Sequence, residues 1–244
     1  MLTSLFQAIG ILPTPAPRAA RTAPVAPRRT HASSAPHKAA VTHKPLNPRM
    51  GTDLVAVIGF NEKAFPISLP AEPWSDELTT RVAGLPARMG GGGTNIAAAL
   101  RLALEMTRKC PKGSRRRIFL LSDGEHNADT HDTEPAAQAI ADVHINLNVI
   151  AFGEAADSAL LKKLASKTHN GKFIPVASLH DMAVALKRGG GAAHAKRDHR
   201  QEVAIICVDL SPSMGTQDMG GQTRIEAVRD AIQSLLTYKA AVWS

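Results

Sequence analysis

Residues 202–215 read EVAIICVDLSPSMG, and this stretch is the starting point for predicting the architecture of the protein. Its first part, EVAIICVD, is a continuous apolar run that ends in Asp209. A run without polar alternation is typical of a strand that is covered on both faces. The second part places Ser211 and Ser213 in a short loop that also contains proline and glycine. We therefore predict a buried strand followed by a loop that carries side-chain oxygens.

The rest of the chain alternates short apolar runs with segments of helical periodicity. Pro66 confines its run to a sheet edge, because proline has no backbone N–H to donate to a neighbouring strand. The alternation predicts an α/β fold: a doubly wound, mostly parallel sheet with helices on both faces. The expected strands are 53–60, 63–69, 116–123, 145–153, 172–176 and 202–209, and the expected helices are 75–86, 96–109, 133–143, 157–168, 179–187 and 224–238.

The charge of the chain is unevenly distributed. The formal net charge is +8 and the isoelectric point is about 9.8, which at first suggests a nucleic-acid-binding protein. The first 52 residues, however, hold seven Lys and Arg and no Asp or Glu, so 22 bases face 21 acids in the remainder. This near-neutral remainder disfavours a globally basic nucleic-acid-binding fold, and we expect no nucleic-acid partner.

Residues 1–52 are predicted to be a disordered basic tail. Eight of the sixteen prolines lie within the first 50 residues, and the tail shows no sustained hydrophobic period. Such a segment buries too little apolar area to offset its ordering entropy. An organelle transit peptide and a tail that binds an acidic partner are the alternatives. We expect a cytoplasmic protein, or an organelle protein if the tail is a transit peptide.

Membrane insertion and a disulfide framework are not expected. No apolar run approaches the roughly 18–20 residues that span a bilayer. The chain has two cysteines, Cys110 and Cys207, which we interpret as buried thiols.

Oxygen-bearing side chains follow two of the predicted strands. Asp209 ends one predicted strand and is followed by Ser211 and Ser213, and Asp123 ends another. Thr94 ends the glycine-rich loop GGGGTN at 90–95, directly before a predicted helix. Ligands bind beyond the carboxyl ends of parallel strands, and hard cations such as Mg²⁺ prefer oxygen donors. Each residue alone is more typical of a turn or a helix cap, but together they predict a metal site.

The segment DLSPSMG resembles the D-x-S-x-S signature of the von Willebrand factor type A domain, the integrin I-domain fold. GGGGTNIAAAL, IFLLSDGEHN and IEAVRDAIQSLL are similar to later segments of that family, and the resemblance covers about residues 53–244. It implies a metal-ion-dependent adhesion site for Mg²⁺ or Mn²⁺. The ligands that it implies, some of them acting through water, are Asp209, Ser211, Ser213, Thr94 and Asp123.

The function that this resemblance implies is a binding module rather than an enzyme. A protein partner would present an Asp or Glu carboxylate to the metal. The loops 61–63, 89–95, 124–133 and 214–222 would form the rim, and the predicted rim contacts are Asn95, Gly124, Glu125 and Met214. A scaffold domain with a vestigial metal site is the alternative, followed by a metal-dependent hydrolase.

The order of the motifs departs from the family. D-x-S-x-S begins the domain in the family but comes last here, after segment 53–188 and a Gly-rich linker at 189–200. We predict a circularly permuted domain in which residues 201–244 supply the central strand and a long helix. A fragment of a tandem array and strand exchange between two chains are the alternatives. A monomer is expected over a strand-exchanged dimer.

Overall fold

The apolar runs of the sequence form the strands of one six-stranded sheet. In a computed structural model, which describes residues 53–124, 130–152, 158–188 and 201–243, they alternate with helices as predicted. The predicted tail at 1–52 and linker at 189–200 lie outside the described residues. The strands are β1 (Leu54–Phe60), β2 (Ala64–Pro66), β3 (Arg115–Ser122), β4 (Asn146–Phe152), β5 (Lys172–Val176) and β6 (Glu202–Asp209).

The helices lie between the strands in the predicted order. Short 3₁₀ turns follow α1 at Pro86–Arg88 and β6 at Pro212–Gly215. The α-helices are α1 (Asp76–Ala83), α2 (Ile96–Arg108), α3 (Thr130–Asp142), α4 (Ser158–Ser166), α5 (Leu179–Arg188) and α6 (Arg224–Trp243).

The last strand in the chain lies inside the sheet. The strand order is β2-β1-β6-β3-β4-β5, and all pairings are parallel except that of β1 with β2. On one side of β6 the chain continues from β1 to the edge strand β2, and on the other side it continues from β3 through β4 to β5. Such a reversal of strand order leaves a crevice at the carboxyl ends of the strands.

Helices cover both faces of the sheet and bury two hydrophobic cores. One core packs α1, α5 and α6 against the sheet, and the other packs α2, α3 and α4 against the opposite face. β6 supplies both cores, with Ile206 and Val208 on one face and Ile205 and Cys207 on the other. The continuous hydrophobicity of this strand therefore reflects burial on both faces, which confirms the predicted α/β fold.

Several boundaries differ from the sequence prediction. The helix expected at 75–86 ends at Ala83, while Ser75 caps it by accepting a hydrogen bond from the Leu78 amide at 3.1 Å. The helix expected at 133–143 begins earlier, at Thr130, and α6 continues past Tyr238 to Trp243. These are shifts at element ends, where local patterns are least informative.

Both cysteines are free, buried thiols, as predicted. Burial raises the pKa of Cys207 to about 12 and also raises the pKa of Cys110. No helix among the described residues is long and apolar enough to cross a membrane.

Among the described residues, the buried side-chain amide of Asn148 on β4 has no hydrogen-bond partner. Asn148 is fully buried between Phe119 of β3 and Lys172 of β5, and the described part of the chain offers no partner to either polar atom of its side-chain amide.

We expect Asn148→Leu to raise the free energy of unfolding by about 1–2 kcal/mol, because it removes an unsatisfied buried polar group. Asn146→Leu, at the partly exposed start of the same strand, is the matched control. Urea denaturation of both variants measures the difference, and a destabilised Asn148→Leu would contradict it.

Candidate metal site

The site is built around Asp209, the last residue of β6. In the sheet Asp209 lies opposite Phe60 of β1, and its side chain is fully buried. Its Oδ2 accepts a hydrogen bond from Ser122 Oγ at 2.6 Å, and its Oδ1 accepts one from the Ser211 amide at 2.9 Å. Neighbouring groups thus fix both carboxylate oxygens at the carboxyl edge of the sheet.

Burial makes the charged form of Asp209 costly. Desolvation raises the pKa of Asp209 to about 6, against the hydrogen bonds from Ser122 and Ser211, which lower it. The nearby carboxylate of Asp123 raises the pKa further. A buried carboxylate in this environment would be stabilised by a cation, which favours the ionised form.

The two serines follow Asp209 at the start of a 3₁₀ turn. Ser211 is buried in extended backbone (φ −63°, ψ 158°), and Ser213 is half-buried in the turn Pro212–Gly215. Their hydroxyl oxygens lie 2.9 Å apart, within hydrogen-bonding distance. The x-spacing of the motif therefore brings both hydroxyls to the same side of the loop.

The glycine-rich loop is tied to the residue after Asp209. The Gly90 amide donates to the Leu210 carbonyl at 3.1 Å, and Asn61 Nδ2 donates to the Gly90 carbonyl at 2.9 Å. Gly91 has a φ of +80°, and a Cβ there would lie 3.0 Å from Asn61 Nδ2, so glycine suits both the backbone and the space. Thr94 is buried at the end of this loop. The loop thus begins beside the residue that follows Asp209 and ends at Thr94.

Asp123 lies directly after β3 and is paired with an arginine. Its side chain is buried, and its Oδ2 accepts a hydrogen bond from Arg224 Nη1 at 2.8 Å. The same guanidinium donates through Nε and Nη2 to Asp218, at 3.1 and 2.7 Å. Hydrogen bonding to Asp218, aided by its charge and that of Asp123, raises the pKa of Arg224 against the effect of burial. Arg224 therefore remains a cation between two carboxylates.

The predicted rim residues have different environments. Asn95 is the N-cap of α2, where its side chain accepts a hydrogen bond from the Ala98 amide at 2.9 Å. Gly124 is buried with a φ of +77°, and Glu125 lies outside the described residues. The prediction for Met214 is wrong, because its side chain is fully buried in the core beside α6. Its position in the 3₁₀ turn directs it inward, which the linear motif does not reveal.

The sequence motifs do not reveal two polar residues of the site. Ser122 donates a hydrogen bond to Asp209. Its position as the last residue of a strand that ends beside an acid is the sequence signal that could have identified it. Arg224 lies at the first position of α6, where a positive charge opposes the helix dipole. An arginine at that position needs acidic partners, and this is the signal that could have identified it.

The donor set fits a hard divalent cation. The candidate ligands are carboxylates and hydroxyls, which suit Mg²⁺ or Mn²⁺ better than thiophilic metals. Within the described ranges, no group of three or more His, Cys, Asp and Glu side chains could hold a metal ion. The buried carboxylate of Asp209 is the feature that a cation at this edge would stabilise most.

Comparisons with known proteins address the fold and the family. The family model of the von Willebrand factor type A domain matches residues 46–187, more than half of the chain. The solved structure of conserved hypothetical protein BatB from Bacteroides thetaiotaomicron is 22% identical, with a TM-score of 0.44 and coverage of 58% of this chain and 80% of that chain. An aerotolerance-related membrane protein from Bacteroides fragilis is 24% identical, with a TM-score of 0.39 and coverage of 52% and 73%. Comparison with curated proteins gives no match.

Proposed function

The chain belongs to the von Willebrand factor type A domain family, and from that premise we propose that it is a protein-interaction module that captures a partner carboxylate through Mg²⁺ or Mn²⁺. The observation that carries this proposal is the buried Asp209 carboxylate beside the paired hydroxyls of Ser211 and Ser213. A partner Asp or Glu would complete the coordination of the metal.

The residues divide into two electrostatic groups around this site. Ser211, Ser213 and Thr94 supply neutral oxygens, while Asp209 and Asp123 supply negative charge. Arg224 offsets part of the charge of Asp123. A divalent cation held mainly by neutral hydroxyls and few carboxylates retains positive charge, and this residual charge would attract the carboxylate of the partner.

The test is selection of short Asp- or Glu-containing peptides that bind the full chain in Mg²⁺. We expect EDTA to abolish binding, and we expect replacement of the peptide acid by its amide to do the same. Ser211→Ala should weaken binding at least tenfold, because it removes a metal ligand. Asp76→Asn, an exposed acid on α1, is the matched control and should bind like wild type. Peptide binding that persists in EDTA and in Ser211→Ala would overturn the proposal.

A scaffold domain with a vestigial site is the second candidate. The supporting observation is that polar groups of the site already satisfy one another: Ser211 pairs with Ser213, and Arg224 pairs with Asp123. This function predicts no calorimetric uptake of Mg²⁺ or Mn²⁺ and an unchanged melting temperature in their presence.

Circular permutation belongs to the same proposal. Its support is that β6 pairs with β1 and β3 of the same chain, although β6 and α6 lie beyond the residues matched by the family model. Residues 201–244 would thereby supply the strand and the motif that open the domain in other family members. A fragment of a tandem array and strand exchange between chains are the competing explanations.

A further inference from the structure

Arg224 joins two acidic side chains that come from different parts of the site. Its Nη1 donates to Asp123 at 2.8 Å, while its Nε and Nη2 donate to Asp218 at 2.7–3.1 Å. A guanidinium holds such a geometry better than an ammonium, because its donors form a rigid planar fork. One guanidinium therefore connects Asp218 to Asp123.

Arg224 is buried at a helix start, where an unpaired cation would be destabilising. Its side chain is 9% exposed, and it occupies the first position of α6, where the helix dipole disfavours a cation. Burying a guanidinium there is costly unless both carboxylates pair with it. The arrangement leaves the group of Asp123, Asp218 and Arg224 with one net negative charge, so the site retains its attraction for a cation.

Asp218 lies on a compact exposed turn beside the site. Met219 and Gln222 pair across this turn, and Gly220 and Gly221 adopt φ values of +69° and +92° at its tip. Met219 is buried and anchors the turn to the core, whereas Asp218 and the two glycines face solvent. A partner on the rim would thus meet Asp218 directly.

We propose that Arg224 is a positioning residue that couples Asp218 on the rim turn to Asp123 in the metal site. The proposal rests on the proposed metal-dependent function, since it requires that the chain bind a divalent cation. A partner that holds Asp218 in place would fix Arg224 and Asp123 and would raise metal affinity. Because coupling is reciprocal, bound metal would raise affinity for a partner on this turn by the same factor.

The test measures Mn²⁺ binding to the full chain by calorimetry. Asp218→Asn should weaken Mn²⁺ binding at least fivefold, although Asp218 is not a proposed ligand, because Arg224 then neutralises Asp123 more fully. Arg224→Lys should also weaken binding at least fivefold, because it keeps the charge and loses the fork. The double variant should bind Mn²⁺ with about the same affinity as the single variant that binds it less tightly, because both changes break the same connection. Asp76→Asn serves as the control for loss of a carboxylate and should bind like wild type.

The outcomes separate this inference from the proposed function. If wild type binds neither Mn²⁺ nor Mg²⁺, the proposed function fails and this inference fails with it. If wild type binds Mn²⁺ and both single variants bind equally well, the inference alone is overturned. Additive losses in the double variant would also overturn it, because they indicate independent effects. Thermal unfolding in EDTA provides the second readout: a lower melting temperature with unchanged Mn²⁺ affinity shows a purely structural role and overturns the coupling.

Discussion

A chain that lacks residues 201–244 is expected to be unfolded. β6 lies between β1 and β3, so its removal separates the β1–β2 pair from the β3–β4–β5 group. Both new edges would expose backbone amides and carbonyls that now pair with β6. The loss of the strand therefore breaks the sheet at its interior and not at a margin.

The expected size of this effect follows from the apolar side chains that would be lost. Each fully buried Val, Leu or Ile stabilises a protein by roughly 1.5–3 kcal/mol, whereas a typical domain is stable by about 5–15 kcal/mol. The loss of about ten such side chains exceeds the whole stability, so the shortened chain should show no cooperative melting. The buried members in the described part of this segment are Val203, Ile205, Ile206, Val208, Leu210, Ile225, Val228, Ile232, Leu235 and Leu236.

Two point variants and one mass measurement control this experiment. Ile206→Asp, in the middle of β6, should abolish cooperative melting in the full chain, because it buries an unpaired charge. Leu69→Asp, at an apolar side chain that is 61% exposed, should leave the melting temperature nearly unchanged. Light scattering of the full chain should give a monomer mass at all concentrations, whereas a mass that doubles with concentration would indicate strand exchange. A shortened chain that still melts cooperatively would contradict the prediction.

Asp209→Asn is expected to abolish stabilisation by Mg²⁺ and Mn²⁺ while making the metal-free protein more stable at pH 7.5. The pKa of Asp209 is about 6 in the folded chain, against an ordinary value of 3.8. The folded state therefore holds this proton more tightly than the unfolded state does. Stability consequently falls as the pH rises from about 4 to about 6, and it stays lower above that range.

The neutral side-chain amide of the Asp209→Asn variant avoids the cost of burying a charged carboxylate. A pKa rise from 3.8 to about 6 corresponds to at most about 3 kcal/mol, and loss of the hydrogen bonds to the carboxylate reduces the gain. We expect Asp209→Asn in EDTA to be more stable than wild type by about 1–2 kcal/mol at pH 7.5. Near pH 4 this advantage should disappear, because Asp209 is then protonated and uncharged in the folded wild type.

Thermal melting with EDTA or with excess Mg²⁺ measures both effects. Wild type should gain stability from Mg²⁺ at pH 7.5 and lose this gain below about pH 5, since a protonated Asp209 is a poor ligand. Asp209→Asn should gain nothing at either pH, while Asp76→Asn should behave like wild type. A variant that is less stable than wild type in EDTA at pH 7.5, or that is still stabilised by Mg²⁺, would contradict the prediction.

The fold was predictable because its signals are local. The run EVAIICVD indicates a doubly covered strand, and Pro66 indicates an edge strand, without knowledge of any neighbour. The fate of Met214 was not predictable in this way. Its neighbours in the sequence are loop residues, but the 3₁₀ turn rotates its side chain into the core beneath α6.

The sequence by itself determined the α/β class, the order of the elements and the oxygen-rich ends of β3 and β6. Only the tertiary structure decided that β6 lies between β1 and β3, that Ser122 bonds Asp209, and that Arg224 bonds Asp123. The bonded residues are separated by 87 and 101 positions along the chain. Hydrophobic periodicity and short motifs report on residues a few positions apart, whereas these contacts depend on strand order and register, which are set by packing of the whole sheet.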